Sequence, residues 1–86
     1  SDLAFAAFPN PASDDLHISY TLEKRSQVLV KLLNMNGDLA ATLLNQGQDR
    51  GKQSLDCRIP AGLSKGFYLV QLAVNGKDIT RKLLVH

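Results

Sequence analysis

The sequence predicts an all-β domain, an antiparallel β-sandwich of about seven strands. Three observations lead there. Short runs of apolar/polar alternation recur along the chain, the period-2 pattern that turns one side of a strand to a core and the other to water. Asn-Gly pairs stand between such runs at 36–37 and 75–76, and they are the strongest short hairpin signal. No segment carries a convincing helical period, and short strands at regular spacing with tight turns assemble into sandwiches.

The elements follow in order. Leu3 to Phe8 reads as an edge strand. Phe8-Pro9-Asn10-Pro11 is a stiff, turned entrance: both prolines lack an N–H and hold φ near −65°, and each pushes its predecessor toward extended geometry. Leu16, Ile18, Tyr20 and Leu22 then share one parity and His17, Ser19, Thr21 and Glu23 the other, a half-buried strand with a polar outer face. Glu23-Lys24-Arg25-Ser26 is a charged turn. Val28, Val30 and Leu32 alternate against Gln27, Leu29, Lys31 and Leu33, a strand apolar on much of both faces. Past Asn36-Gly37, the alternation from Asp38 to Leu44 is weaker, and Ala40-Ala41 with Leu43-Leu44 also suits a helix. Asn45 to Gly51 reads as a polar loop. Gln53, Leu55, Cys57 and Ile59 alternate against Ser54, Asp56 and Arg58, a strand that Pro60 stops. Phe67 to Val74 is a long strand with Tyr68, Val70, Leu72 and Val74 on one face. Asn75-Gly76 turns the chain into a return strand from Lys77 to Val85, with Ile79, Leu83 and Val85 on one parity and Thr80, Lys82 and Leu84 on the other.

Eighty-six residues make one domain, able to bury about 60% of its unfolded surface and so to fold alone with a thin margin. A hydrophobic content of 44% excludes disorder. The net charge of +2 comes from scattered Lys and Arg with no basic stripe, which argues against nucleic acid as a partner. Cys57 stands alone, so no internal disulfide forms and the core carries stability unaided. In its alternating stretch it reads as a small buried hydrophobe. No run approaches the length of a membrane span, and neither direct membrane insertion nor a signal peptide is expected in these residues. A chain opening on Ser1 reads as a fragment of a longer protein, with 1–7 a residual linker and the start of the first strand, and 8–86 the folded domain.

Little points to catalysis, a metal or a cofactor. Gly62-Leu63-Ser64-Lys65-Gly66 matches G-x-S-x-G, but the nucleophile elbow needs a strand before the Ser and a helix after it. Here Pro60-Ala61 precedes and a strand follows, so a glycine-bounded turn is expected. Asp15 and His17 share a strand face, too few ligands for zinc; a capped turn and an exposed histidine are the expectation. Asn34-Met35-Asn36-Gly37-Asp38 offers oxygen ligands without the EF-hand spacing. His86 is terminal.

Three features stand in order. Phe8-Pro9-Asn10-Pro11-Ala12 opens the domain. Leu63-Ser64-Lys65-Gly66-Phe67-Tyr68-Leu69-Val70 leads into the penultimate strand. Arg81-Lys82-Leu83-Leu84-Val85 forms the last one. A hydrophobic strand before Asn36-Gly37-Asp38 and Gly51 ahead of the next strand also fit. Together, over residues 8–86, they resemble the C-terminal sorting domain of the type IX secretion system of certain Gram-negative bacteria. Phe8 stands where that family often has Tyr, and Phe67 occupies its variable position before Tyr68. The resemblance implies a small immunoglobulin-like sandwich at the end of a larger secreted protein, an address label rather than an enzyme. It implies an N-terminal cargo domain, reading by an outer-membrane translocon after passage through the periplasm, removal by a sortase-like surface protease, and cargo often attached to a surface lipopolysaccharide. The family's recurring positions fall on Pro9, Asn10, Pro11, Gly66, Tyr68 and Lys82, with Leu83, Leu84 and Val85 completing the tail.

Each position also has a mechanical role to fill. Gly66 suits a backbone bend, Tyr68 a core site with its hydroxyl on a partner, and Lys82 an edge charge that blocks aggregation. The last strand, an edge open to β-augmentation, is the expected place of recognition, and the domain is expected to be a monomer or a weak edge-strand dimer. The competing reading is a structural or adhesive immunoglobulin-like or fibronectin-type-III-like module beside a cell-surface or secreted enzyme. Carbohydrate binding usually needs exposed aromatics, and the chain has no Trp and five Phe and Tyr. A small hydrolase using Ser64 is the third reading.

Overall fold

The computed structural model describes residues 3–86; the linker assignment for Ser1 and Asp2 lies outside them. The described residues form seven strands and no helix: β1 (Ala6–Phe8), β2 (Asp15–Leu22), β3 (Ser26–Asn34), β4 (Leu39–Gln48), β5 (Gly51–Arg58), β6 (Gly66–Val74) and β7 (Lys77–Val85). They make two sheets, β1-β2-β5 and β4-β3-β6-β7, with every strand pairing antiparallel. The crossings β2-to-β5 and β3-to-β6 are those of the Greek key found in most β-sandwiches, and the order is the immunoglobulin-like one.

The alternating residues fill the space between the sheets. Leu16, Ile18, Tyr20 and Leu22 of β2 face Val28, Val30 and Leu32 of β3, Tyr68, Val70, Leu72 and Val74 of β6, and Leu83 and Val85 of β7, all buried. Full burial of each such aliphatic side chain contributes about 1.5–3 kcal/mol. The β5 edge of the smaller sheet is thinner: it presents Gln53, Leu55 and Cys57 to the core only half-buried.

The structure departs from the expectations in two places. Residues 39–44 are strand, as their weak alternation indicated, and not helix; but β4 continues through Asn45–Gln48 instead of giving way to a loop, and only Asp49 and Arg50 separate it from β5. The pairing explains the weak alternation. Val30 pairs with Leu44 and Lys31 with Thr42, skipping Leu43; Leu32 pairs with Ala41 and Leu33 with Leu39, skipping Ala40. Two bulges thus break the period of 2 on an edge strand, a usual place for them. The polar end of β4 is held by backbone pairing to Ser26–Leu29 and by Gln48, whose Oε1 accepts the Tyr20 hydroxyl. Lastly, the two Asn-Gly turns differ. Asn75 and Gly76 both take positive φ, 49° and 84°, as a tight type I′ hairpin requires. In the first turn only Gly37 does, at 88°; Gly37 N–H donates to the Asn34 carbonyl at 2.9 Å, and Asn34 Oδ1 accepts the Asn36 and Asp38 N–H groups.

Candidate functional site

The sequence motifs at the two ends of the chain meet along one edge. The N-terminal segment first pairs with β2 as β1 (Ala6 with Ser19, Phe8 with His17). It then crosses from the smaller sheet to the larger through Pro9-Asn10-Pro11, where both X–Pro peptide bonds are cis. Beyond the prolines, Ala12 lies fully buried in a parallel bridge to Val85. Ala12 N–H donates to the Leu84 carbonyl at 2.8 Å, and His86 N–H donates to the Ala12 carbonyl at 2.8 Å.

Asn10 extends this seam by one more step. Its carboxamide is a peptide unit carried on a side chain, and it is used as one. Leu84 N–H donates to Asn10 Oδ1 at 3.0 Å, and Asn10 Nδ2 donates to the Lys82 carbonyl at 3.2 Å. The prolines on either side have no N–H to offer, and the Asn10 side chain supplies both a donor and an acceptor beside them. Farther along, Phe5 is buried and the Arg81 guanidinium sits 5.4 Å from its ring centre.

This corrects one expectation. The entrance segment joins a hydrogen-bond ladder through Asn10 and Ala12. The edge of β7 from Lys82 to His86 is not open to a partner strand, because residues 10–12 already occupy it. Asn10→Ala removes a donor and an acceptor at once. At a net 0.5–1.5 kcal/mol for each bond, stability should fall by about 1–3 kcal/mol, with faster amide exchange at Leu84. Asn10→Asp, which keeps the acceptor but loses the donor, should not restore it. Thermal melts and hydrogen exchange check both.

The second motif, Gly66-Phe67-Tyr68, opens β6 beside β7. Gly66 has φ 147°, and a Cβ there would meet nothing within 4 Å; the backbone conformation, not crowding, favours glycine. Tyr68 is buried, and its hydroxyl donates to the Ser64 carbonyl at 2.8 Å. This is the arrangement of the tyrosine corner of immunoglobulin-like sandwiches, in which a Tyr near the start of the sixth strand bonds back to the backbone a few residues upstream. Ser64 therefore lies in a glycine-bounded turn that the corner ties down, with a strand after it. Of the tail residues, Leu83 and Val85 point into the core, while Lys82 and Leu84 point away from it, and Lys82 Nζ lies 4.4 Å from the centre of the Phe67 ring. Phe67 is half exposed.

His17 finds a different partner from the one its own strand offers. Its Nδ1 is bonded to Asp56 Oδ1 across the β2–β5 pair, and Phe8 lies against the ring at 4.8 Å, while Asp15 is 4.0 Å from Arg58. The register that sets Asp56 opposite His17 has no local signal in the sequence. Among the described residues no group of three or more His, Cys, Asp or Glu is gathered as for a metal ion, and no helix is long and apolar enough to cross a membrane.

Cys57 is half-buried, with Sγ 3.6 Å from the Leu16 carbonyl oxygen. Burial, and then the charges of Asp56 and Asp15, push its thiol up from the ordinary range. Burial likewise pushes Tyr20 up, against the bond to Gln48. Both groups hold their protons more tightly folded than unfolded. Their contribution is present below the unfolded values and fades as pH rises through the alkaline range, where the unfolded chain ionises first. The urea midpoint should therefore fall above pH ~9, and iodoacetamide at pH 8 should label Cys57 much faster in the unfolded chain than in the folded one.

The fold and the seam define an immunoglobulin-like module whose entrance segment is locked onto its last strand. The chain belongs to the secretion system C-terminal sorting domain family, the type IX family, whose model matches residues 6–86. No curated protein and no solved structure matches it. Its role is that of a C-terminal sorting signal, which implies a cargo on its N-terminal side and marks a secreted or cell-surface protein.

Proposed function

We propose that this domain carries a larger cargo through the type IX outer-membrane translocon as a folded address, and that a sortase-like surface protease then removes it. The observation that carries this reading is the seam. Entrance and tail motifs are bonded to each other through Asn10, Ala12, Leu84 and His86, so the signal exists only in the folded sandwich. A receptor for it reads outward side chains, since the end of the last strand's edge, from Lys82 onward, is already bonded. Removal falls ahead of Phe5, because Phe5 is buried and the chain after it is committed to β1. The domain has the part of a label, with no bond made or broken by its own side chains. An adhesive role for aromatic residues is disfavoured: the exposed rings, Phe8 and Phe67, stand on different sheets and form no common platform.

The test is a reporter fused ahead of the chain in a bacterium with a type IX system. The reporter should reach the surface or medium without the tail. A folded fusion that stays in the periplasm would overturn the sorting reading, and export with the tail still attached would overturn its removal.

A further inference from the structure

The two sheets present unlike outer faces. On the β1-β2-β5 sheet the outward residues of β2 and β5 are polar throughout: Asp15, His17, Ser19 and Thr21, then Lys52, Ser54, Asp56 and Arg58. On the other sheet, Leu39, Leu33 and Leu69 form one row across β4, β3 and β6, ended by Lys82 on β7. Phe67 and Leu84 make the next row. Leu39 is 59% and Phe67 50% exposed, while Leu33, Leu69 and Leu84 are half-buried. A contiguous apolar patch on a small soluble domain marks an interaction site.

We propose that this outward face of β4-β3-β6-β7 is the docking surface for a protein partner that is apolar at the centre of its contact area and acidic at its margin. The charges select the occupant. Lys82 flanks the patch on β7, and Lys31 stands in the neighbouring row, paired with Gln71. On the strands of this face the acidic residue is Asp78, at the far end, and Asp38 lies in the β3–β4 turn. A second copy packed on the same face would bring its own Lys31 and Lys82 into the interface, like charge with like. A lipid surface takes protruding apolar side chains to several ångströms' depth, whereas Leu33, Leu69 and Leu84, three of the five apolar residues of this patch, are half-buried. A partner with carboxylates around an apolar centre satisfies both features, and such complementarity also speeds encounter.

The proposal rests on the sorting reading for where the partner is sought, in the type IX export machinery. Its test uses the reporter fusion with Leu33→Gln/Leu69→Gln, with Lys31→Glu/Lys82→Glu, and with the opposite-face control Lys52→Glu/Ser54→Gln. Circular dichroism and thermal melts of each purified chain establish that it is folded. Both face variants should export about tenfold less than the parent, the loss expected when a central anchor worth about 1.4 kcal/mol is removed, and the control should match the parent. Folded face variants that export at the parent level overturn the proposal alone. So does a parent dimer, seen in sedimentation, that the face variants dissolve, or parent binding to phosphatidylcholine–phosphatidylglycerol vesicles that they lose. A parent chain that fails to export overturns the sorting reading, and the proposal with it.

Discussion

A chain ending at Arg81 should unfold and leave any fused cargo behind in the periplasm. Removing Lys82–His86 takes Leu83 and Val85 out of the core, where they are 1% and 4% exposed. It also takes away every partner of the seam: the Lys82 carbonyl, the Leu84 N–H and carbonyl, and the His86 N–H. Ala12, fully buried beneath that edge, loses its cover. Two aliphatic side chains at about 1.5–3 kcal/mol each, plus four hydrogen bonds, remove much of the 5–15 kcal/mol that holds a domain folded. Far-ultraviolet circular dichroism should show loss of the sheet signal, and fractionation should show the reporter retained. A truncated chain that melts cooperatively near the parent midpoint would contradict the assignment of β7 to the core. Because folding and export fail together here, truncation says nothing about which side chains a receptor touches. Substitution of the outward residues Lys82 and Leu84 separates the two.

The strands of the sandwich are legible because burial on one face writes itself into the sequence as alternation. Leu16 to Leu22 and Phe67 to Val74 show it without interruption, and both are strands at nearly those bounds. β4 hides for the converse reason. Its bulges at Ala40 and Leu43 shift the parity twice within five residues, and its polar end needs no apolar partner because it lies on a sheet edge. Turn chemistry is legible to the level of a hairpin but not of a turn type, since Asn36 and Asn75 sit in the same dipeptide with different φ.

The candidate site is legible as motifs and illegible as geometry. Asn10 contacts Lys82 and Leu84 across more than seventy positions of chain, and no local rule connects a loop asparagine to a strand that far away. The parity of β7 does show that Leu83 and Val85 are core while Lys82 and Leu84 face out. It does not show that the edge between them is already closed. That closure moves the expected point of recognition from the strand's edge to its outward face. The same logic applies to the apolar residues of β3 and β6: the sequence shows Leu29, Leu33 and Leu69 on the wrong parity for the core, and only the register shows that Leu33 and Leu69 adjoin Leu39 and Lys82 in one row.

Tyr68→Ala should cost about 3–5 kcal/mol, the usual loss for deleting a large buried ring, and should abolish export by unfolding a marginal domain. The ring fills the corner where β6 leaves the Ser64 turn, and its hydroxyl pins that turn through the Ser64 carbonyl. Tyr68→Phe keeps the ring and loses only the bond. Ser64 is exposed, so water replaces the missing donor, and the cost should be about 1 kcal/mol, a fall in melting temperature of about 4–8 °C for a domain of this size. Urea titrations of the three chains measure both steps, with an unchanged slope for Tyr68→Phe. Export then distinguishes two roles for the same residue. If Tyr68 acts through the fold, Tyr68→Phe exports its cargo like the parent, because the outward face with Phe67, Leu69 and Lys82 is still presented. A folded Tyr68→Phe chain that fails to export would mean that the hydroxyl, or the turn it holds, is itself read by the receptor.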